Sequence, residues 1–142
     1  MTRYLLDTNI WIYLMRNRPP QVRARYSRLK PGAIVLSPVV LGELHVGWRK
    51  SANAEANHVL LEHYVQGAVL DPIDAAVAAA YGEIRAELEA RGTPIGENDL
   101  WIAAQARERH CVLVTHNLAE FSRVRDLRIE DWVTAYSKER SR

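Results

Sequence analysis

The chain has 142 residues, of which 48% are hydrophobic and 25% are charged, and its net charge is +2. This composition predicts one folded domain and argues against a disordered protein. No apolar run reaches the roughly 20 residues of a membrane-spanning helix, and the N-terminus lacks the pattern of a secretion signal. Cys111 is the only cysteine, so no intrachain disulfide can form. We expect a cytoplasmic protein without structural zinc.

Basic residues are concentrated near the N-terminus. No acid occurs between Thr8 and Gly42, whereas this segment contains Arg16, Arg18, Arg23, Arg25, Arg28 and Lys30. Such a segment fits contacts with RNA phosphates, for which Arg16, Arg18, Arg23 and Arg25 are the candidates. It fits a solvated helix surface equally well.

Short apolar runs alternate with helical patterns along the chain. The runs predict strands that end at Asp7 and that cover 33–36, 67–70, 111–115 and, as an edge strand, 127–129. Predicted helices cover 9–16, 21–29, 54–64 and 74–91, with two more beginning after Ser37 and at Glu97. This alternation predicts an α/β fold with a parallel sheet and helices on both faces.

Acidic residues recur where ligands bind in such folds, at the carboxyl ends of the strands. Asp7 follows the first strand, Glu43 and Asp99 lie on helices beside the sheet, and Glu120 follows the fourth strand. Asp7 and Asp99 also suit helix N-termini, and Glu43 also suits an exposed helix face. Carboxylates that converge without His or Cys favour Mg²⁺ or Mn²⁺.

Polar residues next to these acids are candidates to support them, namely Thr8, Asn9, Thr115 and Asn117. His116 lies on the same polar loop as a lone imidazole. We do not expect it to be a metal ligand, and a contact with substrate is the less favoured interpretation of its position.

Four motifs, in this order along nearly the whole chain, resemble a PIN-domain ribonuclease and, more closely, the VapC-type toxins of bacterial toxin–antitoxin modules. They are Leu6-Asp7-Thr8-Asn9, Gly42-Glu43-Leu44, the segment 95–104, and Val114-Thr115-His116-Asn117 with Glu120-Phe121. The resemblance implies a three-layer α/β/α domain with a central, mostly parallel five-stranded sheet. We assign residues 1–136 to this domain and 137–142 to a polar C-terminal tail.

The resemblance also implies a function. It is that of an Mg²⁺-dependent endoribonuclease toxin, with tRNA as the leading substrate class, a VapB-like antitoxin as partner, and a homodimer. Asp7, Glu43 and Asp99 match the metal-binding acids of the family. Its fourth acid often follows Thr-x, where this chain has Asn117, so Glu120 is the candidate replacement.

Other interpretations stay open at this point. Trp11, Tyr13 and Trp48 fit the protein core, an RNA-stacking surface or a groove for the antitoxin. The missing acid at Asn117 keeps a non-catalytic RNA-binding or interaction module on a PIN scaffold as the alternative function. A phosphoaspartate enzyme is disfavoured because the chain has no lysine late in the predicted sheet.

Overall fold

The computed structural model describes residues 1–134 and 136–138. Within these residues the chain forms seven helices and six strands. The strands are β1 (Tyr4–Leu6), β2 (Ile34–Leu36), β3 (Val69–Leu70), β4 (Val112–Val114), β5 (Ile129–Asp131) and β6 (Tyr136–Lys138). The helices are α1 (Thr8–Arg16), α2 (Pro20–Tyr26), α3 (Pro38–Lys50), α4 (Ala54–Val65), α5 (Ala75–Ala90), α6 (Glu97–Glu108) and α7 (Leu118–Phe121).

The strands form one sheet in the order β3-β2-β1-β4-β5-β6. The first five are parallel, and central β1 places Leu5 opposite Val35 of β2 and Leu113 of β4. These five strands confirm the predicted α/β/α architecture. The short strand β6 extends the sheet by pairing antiparallel with β5.

Apolar strands explain why the sheet is parallel and covered. All residues of β1, β2 and β4 are buried, as expected for strands with helices on both faces. Trp11 and Ile10 of α1 and Phe121 of α7 are fully buried in the same core. No helix in the described part of the chain is long and apolar enough to cross a membrane.

Three helices begin immediately after central strands, which surrounds one edge of the sheet with helix N-termini. Helix α1 follows β1, α3 follows β2, and α7 follows β4. Helix α3 begins after Ser37, as predicted. Ser37 caps it, because its Oγ accepts a hydrogen bond from the Val39 backbone N–H at 3.2 Å, and Pro38 occupies the first turn. This edge therefore collects the residues that follow each strand.

The C-terminal region differs from the prediction. The expected edge strand 127–129 is shifted to Ile129–Asp131, and it is an inner strand because β6 lies beside it. Asp131 stays within the strand because its buried carboxylate is hydrogen-bonded. Strand β6 includes the first two residues of the predicted tail, and 139–142 lie outside the described residues. The domain boundary at residue 136 stays a prediction.

Candidate active site

Asp7 is held in place by both of its carboxylate oxygens. Its Oδ1 accepts a hydrogen bond from the Ile10 backbone N–H at 3.0 Å, which caps α1. Its Oδ2 accepts one from the Thr115 hydroxyl at 2.5 Å, and the residue is 7% exposed. The two interpretations of Asp7 from sequence are therefore compatible, because the helix cap also lies at the ligand-binding edge.

Glu43 reaches the same edge from helix α3. The Thr8 hydroxyl, in the first turn of α1, donates a hydrogen bond of 2.6 Å to Glu43 Oε1. Glu43 is partly buried, and its negative charge contributes to raising the pKa of Asp7. Glu43 therefore lies close to Asp7 at this edge of the sheet and is not a residue of an exposed helix face.

Asp99 and Glu120 meet from two further helices. Asp99 lies in the first turn of α6 and Glu120 in the first turn of α7. The pKa of Asp99 is raised to about 7, and burial is the largest cause. A hydrogen bond with Glu120, the charge of Glu120 and the charges of Asp7 and Glu43 raise it further. The other three predicted acids are therefore close enough to Asp99 to influence it.

The pKa of Asp7 is also raised, to about 6. Burial is the largest cause, and the charges of Glu43 and Asp131 add to it, while hydrogen bonds from Thr115 and Ile10 act in the opposite direction. Within the described residues, none of the four site acids forms an ion pair with a basic side chain. The cluster thus concentrates negative charge without a protein cation.

Three of the four predicted supporting residues contact the site acids. Thr8 bonds Glu43, and Thr115 bonds Asp7 while its Oγ1 accepts from the Asn117 backbone N–H at 3.0 Å. The Asn117 side-chain amide donates to Glu120 Oε2 at 3.2 Å. The residue in the place of the expected fourth acid therefore holds the neighbouring acid. Asn9 is exposed, and its supporting role stays a prediction.

The chemistry of this cluster fits a hard divalent cation. Its donors are carboxylate oxygens from Asp7, Glu43, Asp99 and Glu120, the ligand type that Mg²⁺ and Mn²⁺ prefer. As the side chains stand, no three acidic, imidazole or thiol groups of the described residues converge on one point. Hydrogen bonds to Thr8, Thr115 and Asn117 hold three of these carboxylates.

The four candidate arginines divide into two groups. Arg23 donates hydrogen bonds to the carbonyls of Leu14 and Met15 at the end of α1. Arg25 contacts Glu130 at 3.5 Å and lies over the rings of Tyr4 and Trp132. These contacts favour structural roles for both residues.

Arg16 and Arg18 are exposed, in contrast to Arg23 and Arg25. Their role in RNA binding stays a prediction.

The aromatic candidates also separate. Trp11 is fully buried and belongs to the core. Trp48 is partly buried, stacks on His58 with ring centroids 4.0 Å apart, and lines a cleft between α1, α3 and α4. Ile12, Met15 and Leu61 also line this cleft, which makes it largely apolar. Tyr13 is partly buried and packs against the core.

Sequence analysis missed Asp131, which is buried beside the cluster and affects the pKa of Asp7. His116 Nδ1 lies 2.8 Å from Asp131 Oδ2. The position of Asp131 at the carboxyl end of β5 was the available signal, because the same rule identified Asp7. The predicted strand ended two residues too early for the rule to be applied.

Comparisons with known proteins agree with this geometry. The PIN domain family model matches residues 4–127. The tRNA(fMet)-specific endonuclease VapC of Shigella flexneri is 43% identical over 132 residues, which are 93% of this chain and 99% of that protein. Ribonuclease VapC2 of Haemophilus influenzae is 40% identical over 133 residues, 94% of this chain and 100% of that protein.

A solved structure gives the same result. The DNA-bound VapBC complex from Salmonella typhimurium contains a chain that matches with a TM-score of 0.86 at 39% identity, over 93% of this chain and 99% of that one. Ribonucleases of the PIN domain family generally depend on a divalent metal ion. Sequence, fold and the acidic edge agree, and the chain belongs to the VapC ribonucleases of the PIN domain family.

Proposed function

We propose that the chain is the toxin of a toxin–antitoxin module, a Mg²⁺-dependent endoribonuclease that cleaves tRNA in the cytoplasm. One observation carries the proposal: Asp7, Glu43, Asp99 and Glu120 meet at one edge of the sheet, with no basic side chain of the described part paired to them. A partly buried carboxylate cluster of this kind is stabilised by a bound cation. Its oxygen-only donors favour Mg²⁺, with Mn²⁺ as a possible substitute.

In this function Asp7, Glu43 and Asp99 hold the metal ion, and the other residues orient them. Thr115 fixes Asp7 Oδ2, Thr8 fixes Glu43 Oε1, and Asn117 fixes Glu120. A bound ion would supply the positive charge that stabilises the phosphodiester in the transition state and that makes water a better nucleophile. No nucleophilic side chain is required.

Glu120 takes the part of the fourth acid. It shares a hydrogen bond with Asp99, and this contact contributes to raising the pKa of Asp99 to about 7. Glu120 lies in the first turn of α7, and the Asn117 side-chain amide donates a hydrogen bond to its Oε2 at 3.2 Å.

The substrate is tRNA, and we favour tRNA(fMet). Support comes from the relative in Shigella flexneri, whose name states that specificity and which aligns over nearly the whole chain. The exposed Arg16 and Arg18 at the end of α1 are candidates to contact phosphates. Arg contacts of this kind position RNA and do not read its sequence.

The partner is a VapB-like antitoxin, as in the complexes formed by structural neighbours. The cleft between α1, α3 and α4 is our candidate docking surface, because Ile12, Met15, Trp48 and Leu61 present apolar side chains there. An amphipathic segment of an antitoxin would cover such a surface. The homodimer remains a prediction.

The decisive experiment is cleavage of purified tRNA(fMet) followed by mapping of the new 5′ ends. We expect cleavage at a defined position with Mg²⁺ and none with EDTA. Asp7→Asn should be inactive although folded, because Asn caps a helix as well as Asp does. The matched control is Glu108→Gln, an exposed acid at the other end of α6, which should cleave like the parent.

A binding measurement separates the alternatives. Mg²⁺ at a concentration 100-fold above its Kd should stabilise the parent by about 2.7 kcal/mol and should not stabilise Asp7→Asn. Cleavage that continues in EDTA would contradict the metal-dependent mechanism. RNA binding without cleavage, unchanged in Asp7→Asn, would instead favour the non-catalytic RNA-binding module.

A further inference from the structure

A histidine–aspartate pair lies outside the residues used above. His116 Nδ1 is 2.8 Å from Asp131 Oδ2. The Asp131 side chain is fully buried, whereas 46% of the His116 side chain is exposed. The pair thus joins a fixed internal carboxylate to an imidazole that is accessible from outside.

Three observations place this pair beside the acid cluster. Thr115, immediately before His116, bonds Asp7, and Asn117, immediately after it, bonds Glu120. The charge of Asp131 contributes to raising the pKa of Asp7. His116 therefore stands at the rim of the candidate active site, between two residues that hold its acids.

The hydrogen bonds of Asp131 keep it ionised. Burial alone would raise the pKa of Asp131, but hydrogen bonds from Thr134, His116 and Val133 outweigh burial and lower that pKa below its ordinary value. The Thr134 hydroxyl donates to Oδ2 at 2.6 Å, and the Val133 backbone N–H donates to Oδ1 at 2.8 Å. Asp131 is therefore a hydrogen-bond acceptor only.

This acceptor fixes the tautomer of His116. Because Asp131 cannot donate, the proton between the two side chains belongs to His116 Nδ1. In the neutral imidazole the other nitrogen, Nε2, then carries a lone pair and can only accept. Among the described residues Nε2 has no hydrogen-bond partner. In that neutral form, the rim of the site presents one acceptor whose tautomer Asp131 fixes.

We propose that His116 is a specificity-determining residue that accepts a hydrogen bond from a ribose 2′-hydroxyl of the RNA. The inference rests on the proposed function and names what the site recognises. Phosphate oxygens only accept, so an unprotonated Nε2 cannot bind them, whereas the 2′-hydroxyl is a donor beside the phosphate. This hydroxyl distinguishes RNA from DNA.

A pair of matched variants isolates the Nε2 atom. In His116→Asn the side-chain amide takes the place of Nδ1 and can still donate to Asp131, while Nε2 is removed. The control is His110→Asn, the same change at an exposed histidine. His110 precedes β4, whereas His116 follows that strand at the end where the candidate active site lies. His110 has φ 56°, a conformation that Asn tolerates.

The experiment uses tRNA(fMet) carrying single 2′-deoxynucleotides at positions flanking the mapped cleavage site, at pH 8. We expect one deoxy position to lower kcat/KM of the parent and of His110→Asn about fivefold, the loss of one neutral hydrogen bond. His116→Asn should cleave unmodified tRNA about fivefold more slowly and should not discriminate at that position. Its unfolding midpoint should match that of the parent.

Three results would overturn this inference. His116→Asn could discriminate against the deoxy position as strongly as the parent does. His116→Asn could instead cleave tRNA with one phosphate replaced by a methylphosphonate as fast as unmodified tRNA, while the parent cleaves the modified tRNA more slowly. This result would indicate that His116 contacts a phosphate. If the parent does not cleave tRNA(fMet) at all, the proposed function fails and this inference fails with it. That result differs from normal cleavage in which the effect of the deoxy position does not depend on His116, which would overturn this inference alone.

Discussion

The two ends of helix α6 hold carboxylates in opposite ways. Just past its C-terminal end, Arg109 contacts Asp71 at 2.8 Å and Asp74 at 3.0 Å. Near its N-terminal end, Asp99 contacts Glu120, another acid. The first group is paired with a cation of the chain, whereas the second has no such partner among the described residues.

The pKa directions follow this difference. A backbone hydrogen bond from Val77, followed by the hydrogen bond from Arg109, lowers the pKa of Asp74 below its ordinary value. Burial and nearby acids raise the pKa of Asp99 to about 7. Asp71 and Asp74, which stabilise the fold, have Arg109 as a partner within the chain. Acids that lack a partner are poised to bind a cation from outside.

The largest expected effect compares one acid from each end. Asp99→Asn should lower kcat/KM for tRNA cleavage about 10³-fold, the size of loss on removing a group that stabilises transition-state charge. Asp74→Asn keeps the helix cap of α5 and should stay within about twofold of the parent. Both are measured by initial rates at saturating Mg²⁺. A similar loss in the two variants would remove the functional distinction between the ends.

The second prediction concerns stability and pH without divalent ions. Asp7 and Asp99 bind protons more tightly in the folded chain, where their pKa values are about 6 and about 7, than in the unfolded chain, where they are near 4. Their contribution to stability is therefore complete below about pH 4 and is lost as pH rises through 6 to 7. Urea unfolding in EDTA should show the parent losing a few kcal/mol between pH 5 and pH 8.

Substitution tests the origin of that loss. The double variant Asp7→Asn/Asp99→Asn should have a much flatter profile over this range. Asp74 acts with the opposite sign, because its lowered pKa adds stability above about pH 4 that is lost as pH falls further. Asp74→Asn should therefore change only the acid limb. An unchanged slope between pH 5 and pH 8 in the double variant would assign the loss to other groups.

The third prediction concerns the orientation of Glu43. Thr8→Val removes the hydroxyl that donates to Glu43 Oε1 at 2.6 Å, and should lower kcat/KM about fivefold. Thr8→Ser keeps the hydroxyl and should cleave within about twofold of the parent. Rates for both variants are compared at equal Mg²⁺. Equal rates in Val and Ser variants would mean that this bond serves only the contact between α1 and α3.

How far sequence predicts this molecule depends on whether a feature is local. Apolar runs of three or four residues predicted β1, β2 and β4, because strands buried on both faces need no polar positions. Asp7 was identified from its place after such a run. Helix α7, with four residues, is too short to carry a helical pattern.

Features that depend on tertiary contacts were missed, because the local pattern does not show which groups meet in the fold. Asp131 is polar and buried, so pattern alone excluded it from a strand, and only the contact with Thr134 and His116 explains its place. The charge of Arg23 and Arg25 was visible, but the direction of their side chains was not. Whether an arginine is available for RNA depends on the carbonyls and rings that the fold brings near it.

The smallest expected effects distinguish arginines that are bonded within the fold from arginines that are exposed. They ask whether basic side chains follow the acids of α6, where partners within the fold mark a structural role. Arg23→Gln loses bonds to the Leu14 and Met15 carbonyls and should lower the free energy of unfolding by about 1–2 kcal/mol. Its cleavage rate per folded molecule should stay within about twofold of the parent.

Arg18→Gln should behave in the reverse manner, because its side chain is exposed and can contact a phosphate. We expect its stability to change by less than about 0.5 kcal/mol. KM for tRNA should rise a few-fold at low salt, and the slope of log KM against log salt should become shallower by about one contact. Urea unfolding and KM at several salt concentrations measure both quantities. If Arg23→Gln shows the salt effect and Arg18→Gln does not, then the arginine that is hydrogen-bonded within the fold is the one that binds RNA. In that case a side chain's partners within the fold would not predict which arginine is available for RNA.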